Sequence, residues 1–157
     1  MTQPETLPAR EGGRGFAFVV LAYRCAMAEI SGTQEPYRAG VWEALDQVAP
    51  GGEADALIGC VFRFVRSLVG SAERPLEWRS TLCAHLCRDE WLAVAMIDAA
   101  QRADVAGLLG YACELVGVED LGDALNATQA LAFALSRRGF YLRPAPDGEP
   151  GSKRTLH

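Results

Sequence analysis

The stretch that decides the fold runs from Ser80 to Asp104, STLCAHLCRDEWLAVAMIDAAQRAD. Within it, Cys87-Arg88-Asp89-Glu90 followed by an apolar run has the form of a capping box with Cys in the place of Ser or Thr. Glu90 at the third helical position is placed to reach back to an orphan backbone amide, and Asp89 sits where the helix dipole favours negative charge. Beyond it, Trp91, Val94, Ala95 and Asp98 fall on one side of a helix, and Leu92, Met96 and Ala99 on another. A helix that is apolar over most of its circumference belongs at the centre of a bundle, packed on several sides. Polar and small Gln101–Asp104 marks its end. Upstream, Leu82, Cys83, Leu86 and Cys87 share a face. They form either a short separate helix ending near Cys87 or the first turns of one unbroken helix from Ser80 to Gln101.

Working outward, every other periodic segment also reads as helix. An N-terminal helix is expected from about Gly15 to Ile30, with Phe16, Val19, Val20, Tyr23, Met27 and Ile30 as one stripe and Phe18, Leu21 and Cys25 as a second on the opposite side. Arg24, Glu29 and alanines separate the two. A helix from Tyr37 to Ala49 is stopped by Pro50-Gly51-Gly52, and another runs from Glu53 to Val69. Further helices cover about Ala103–Val116 and Glu119–Arg138. Gly139 is suited to the left-handed position after the last of these, with Phe140–Leu142 folding back over its end. Gly107 and Gly110 suggest close approach of a neighbouring helix. The fold expected is all-α, a compact bundle of five to seven helices in a single domain over residues 15–142. It is flanked by a Pro/Gly-rich arm (1–14) and a tail (143–157), both expected to be disordered.

Composition narrows the function. The chain has 157 residues, half of them hydrophobic and 22% charged, with net charge −5. Residues 1–136 hold ten basic and eighteen acidic side chains and residues 137–157 five and two, so the body is acidic and the C-terminal end basic. An acidic body repels nucleic acid and anionic lipid, leaving such contacts to the C-terminal end. Five cysteines at irregular spacing and no recognisable signal peptide point to free thiols in a reducing cytoplasm. The Phe16–Tyr23 run is too short to span a bilayer. No P-loop, dinucleotide glycine pattern, HExxH or Gly-x-Ser-x-Gly occurs, so an enzyme is not expected and no catalytic residue is assigned.

Three candidate functions remain. Cys83, His85 and Cys87, with Glu90 as a fourth ligand, have the donor types for zinc if a loop brings them together, and would make a thiol or metal sensor. On a regular helix His85 points away from the two thiols. The stretch Asp120–Gly139, DLGDALNATQALAFALSRRG, resembles a helix-turn-helix motif: Leu121, Leu125, Ala132 and Leu135 match its buried positions, Gly122 the small one and Asn126 the turn. The resemblance implies DNA contacts from Thr128, Gln129, Arg137, Arg138 and Arg143. If the segment is one straight helix, the same apolar residues form a single continuous stripe and Asn126 is merely exposed. Finally, Phe18, Leu21, Cys25, Phe133, Phe140 and Tyr141 present more apolar surface than one small bundle needs. This favours a self-associating interaction or regulatory domain, a homodimer or the receiver of a partner helix.

Overall fold

The computed structural model describes residues 13–32, 53–81 and 83–142. Five helices pack together, α1 (Gly13–Ile30), α2 (Glu53–Ser71), α3 (Arg88–Gln101), α4 (Val105–Val116) and α5 (Gly122–Arg137). No strand occurs among the described residues. The expected helix at 37–49, the arm up to residue 12 and the tail from 143 lie outside them. Helix α1 begins at Gly13, two residues before the expected start, and α2 extends to Ser71.

The centre is α3, which packs on α1, α4 and α5, while α2 packs on α1 and α5. Leu92, Met96 and Ile97 of α3 are fully buried, as are Phe18 of α1, Leu57, Phe64 and Leu68 of α2, Leu115 of α4 and Leu131 and Leu135 of α5. Each large apolar side chain withdrawn from water in this way contributes about 1.5–3 kcal/mol. The two stripes of α1 have one explanation: Val19, Tyr23 and Met27 are buried, and so are Phe18 and Cys25 on the other side, within a single chain. Phe140 folds back after Gly139 (φ +76°) and meets Phe18 with ring centroids 6.4 Å apart. Gln101 fastens this return, donating to the Phe140 carbonyl (2.8 Å) and accepting from the Leu142 amide (3.0 Å).

Helices α3 and α4 form a tight antiparallel hairpin. Ala103 adopts φ +59°, turning the chain, and Asp104 caps α4 by accepting the Gly107 amide at 3.0 Å. A side chain at Gly107 would collide with that carboxylate, so the glycine serves the cap. Around Gly110 a Cβ would meet nothing among the described residues, and there neither glycine marks a close helix crossing.

Candidate functional site

At the start of α3 the expected capping box is present. Glu90 Oε1 accepts the Cys87 amide at 3.0 Å, and the reciprocal contact from the Glu90 amide to the Cys87 sulfur is weak because sulfur is a poor acceptor. Both helical versions of residues 80–87 are corrected, since none of the described residues between Ser71 and Arg88 is helical. The physical reason is Arg24. Its guanidinium reaches out of α1 and donates to the carbonyls of Ser80 (3.1 Å), Cys83 (2.7 Å) and His85 (2.8 Å). Its other two N–H groups go to Glu90, Nε to Oε2 at 2.8 Å and Nη2 to Oε1 at 3.0 Å. Glu90 Oε2 also accepts the Arg79 amide at 2.8 Å. All five donors of the guanidinium are therefore used, and the backbone that would have made helical hydrogen bonds is held open around a charge.

Both members of this pair are 2% exposed. Bringing two ions out of water costs several kcal/mol each. The cost is offset only where the geometry is good and the remaining lone pairs and protons are satisfied, as they are here. Next to it, Asp89 takes two parallel N–H groups from Arg74 (both 2.8 Å) and the Glu77 amide (2.8 Å). The Arg74 guanidinium holds the Asp89 carboxyl below the usual range, against the opposing effect of burial. Tyr23 lies in the same neighbourhood, its hydroxyl buried and without a partner among the described residues. Burial, then the nearby Cys87 and the two carboxylates, push its phenol far up, so it stays neutral.

The expected metal ligands are not brought together among the described residues. Glu90 is committed to Arg24 and two amides, His85 is exposed, and no three metal-ligating side chains converge among the described residues. Burial pushes the Cys87 thiol up, leaving it a protonated, poor nucleophile at neutral pH. The cluster is structural: two carboxylates at the first turn of α3 moor the segment that precedes it.

The helix-turn-helix resemblance is also corrected. Residues Gly122–Arg137 are one helix that runs straight through Asn126. Thr128 is fully buried, its hydroxyl donating to the Ala124 carbonyl at 2.6 Å, so it has nothing to offer a base edge. Gln129 and Arg137 are exposed, Arg137 lying over the Phe133 ring; Arg138 is half-buried with Nη1 on the Ala134 carbonyl, and Arg143 lies outside the described residues.

Of the residues expected at an interface, Phe18, Cys25 and Phe140 are spent on the chain's own core and Leu21 is half-buried against it. Phe133 and Tyr141 remain exposed, at 65% and 55%. A surface that the sequence did not single out lies along the α3–α4 hairpin. Positions 88, 91, 95, 98 and 102 follow one another at helical spacing along the outer edge of α3, as do 104, 107, 111 and 114 along that of α4. Trp91, 40% exposed, meets Tyr111 edge to face at 5.7 Å. Arg88 lies over the Trp91 ring at 5.1 Å and pairs with Glu114. At the far end Arg102 pairs with Asp98 (3.1 Å) and Asp104 (3.7 Å). The seam is thus an aromatic step flanked by ion pairs, the composition of an interface centre and its rim.

No family model, curated protein or solved structure matches the chain. Among the described residues, no helix is long and apolar enough to cross a membrane.

Proposed function

We propose that this protein is a non-enzymatic helical interaction domain that self-associates through the α3–α4 seam. The observation that carries the reading is the partly exposed Trp91, 40% open to solvent outside the core. Tryptophan and arginine are the residue types most enriched where binding energy concentrates. Here a tryptophan with an arginine over its ring and a tyrosine packed edge to face against it lies outside the core, on the first turn of α3. The buried ionisable groups point the same way. Arg24, Asp89 and Glu90 are engaged by partners within the chain, in a role that holds structure and leaves no free general base or nucleophile among them.

The test is the oligomeric state of Trp91→Ser. Light scattering is expected to find wild-type protein as a dimer at high concentration and the variant as a monomer, with the far-UV circular dichroism of the two alike. A monomeric wild-type chain at high concentration would remove self-association from the account.

A further inference from the structure

Resting on that reading, we infer that the second copy sits face to face on the seam about a two-fold axis parallel to the helices, so that two hairpins make one four-helix bundle. The distribution of charge along the two edges selects this arrangement. The ends of the α3 edge are both basic, Arg88 and Arg102, and those of the α4 edge are both acidic, the half-buried Asp104 and the exposed Glu114. Asp98 is the acid on the α3 side, but its side chain is 19% exposed and already paired with Arg102 one turn away.

Two copies can meet face to face about an axis that runs along the seam or across it. An axis along the seam lays the α3 edge of one copy on the α4 edge of the other at the same height. Arg88 then faces Glu114 of the second copy, Arg102 faces Asp104, and Trp91 faces Tyr111. Each ion pair within a chain becomes one half of a four-charge cluster of alternating sign, and each aromatic pair one half of a four-ring stack. An axis across the seam lays α3 on α3 and α4 on α4, reversed. It sets Arg88 against Arg102 and Glu114 against Asp104, like charge on like at both ends. Juxtaposing like charges is the main way an interface rejects a wrong register. The face is complementary to itself in one orientation and repels itself in the other.

The experiment is a charge exchange read by sedimentation equilibrium. Arg88→Glu and Glu114→Arg each place like charges across the axis twice, and each is expected to weaken the homodimer about tenfold or more at low salt. Mixing the two variants restores opposite charges at both places, so the mixture is expected to form a heterodimer near wild-type affinity. Failure of the mixture to associate would overturn the arrangement, as would an Arg88→Glu homodimer tighter than wild type, which is what the crosswise axis requires. Both side chains are at least half exposed, so neither substitution disturbs the core. The uncharged variant Trp91→Ser reads the same face without reversing a charge, and a dimer indifferent to it would also sink the proposal. A wild-type chain that stays monomeric takes self-association down with it. A wild-type dimer that ignores every substitution takes down the seam arrangement alone.

Discussion

Two arginine–glutamate pairs begin on the first turn of α3, two residues apart, and they do opposite things. Arg24–Glu90 is sealed in the interior, with all five guanidinium N–H groups and both carboxylate oxygens engaged. Arg88–Glu114 lies on the surface, its side chains 60% and 50% exposed, with Arg88 Nε and Nη2 sharing a single oxygen of Glu114. The same two side-chain types form a rigid structural fastening when dry and an adaptable surface when wet. Burial, more than residue identity, decides which.

That contrast is broken most severely by cutting the buried pair. Glu90→Ala leaves a guanidinium buried without its counter-charge and is expected to cost about 3–5 kcal/mol of stability. Urea unfolding monitored by circular dichroism checks it. The double change Arg24→Met with Glu90→Leu is expected to cost less than Glu90→Ala, because no lone charge remains. A double variant worse than the single would mean that the carbonyls of Ser80, Cys83 and His85 matter more than the charge pairing.

Asp89→Asn is next in size, at roughly 1–3 kcal/mol, since it loosens the charge-assisted bonds to Arg74 and the Glu77 amide. It also has a pH signature. Because the folded state holds the Asp89 carboxyl below its ordinary value, the stabilisation is fully present above the unfolded value, near pH 4, and is lost as pH falls through the lower folded value. Acid unfolding of Asp89→Asn should therefore lack that part of the loss. If wild type and variant have parallel stability curves below about pH 4, the Arg74 pairing is not what holds the segment.

The smallest effect on stability belongs to Arg88→Ala. An exposed pair contributes about 0–1 kcal/mol, so in dilute solution the folded monomer should be almost unchanged. The same variant should dissociate at higher concentration than wild type. A destabilisation comparable to that of Glu90→Ala would erase the distinction between the two pairs.

How far the sequence reveals this depends on the range of the interaction. The Cys87–Glu90 box and the left-handed Gly139 are local patterns, and both are found where expected. The helical extent of α2 to α5 is likewise written in apolar periodicity, within a few residues. Arg24 was legible as a charge between two apolar stripes of α1, but periodicity reads such a residue as a solvent-facing separator. Its true surroundings come from a segment some sixty residues away, and that same long-range contact is why residues 80–87 are not the helix their spacing suggests. Periodicity alone places Phe18 and Cys25 outward, because one helix carries more apolar surface than a single stripe holds. The return of Phe140 over Phe18 uses up part of it. Trp91 is the converse: it fits the apolar pattern of α3, yet the neighbour on that side is the Tyr111 ring and then the surface.

The most direct test of the central claim, that the seam of α3 and α4 is a surface for a second copy, is the midpoint of thermal unfolding as a function of protein concentration. Association of folded chains raises the apparent stability by mass action. The wild-type Tm is expected to climb over a hundredfold rise in concentration, and that of Trp91→Ser to stay level. A wild-type Tm that does not move, or one that climbs equally in the variant, would contradict it.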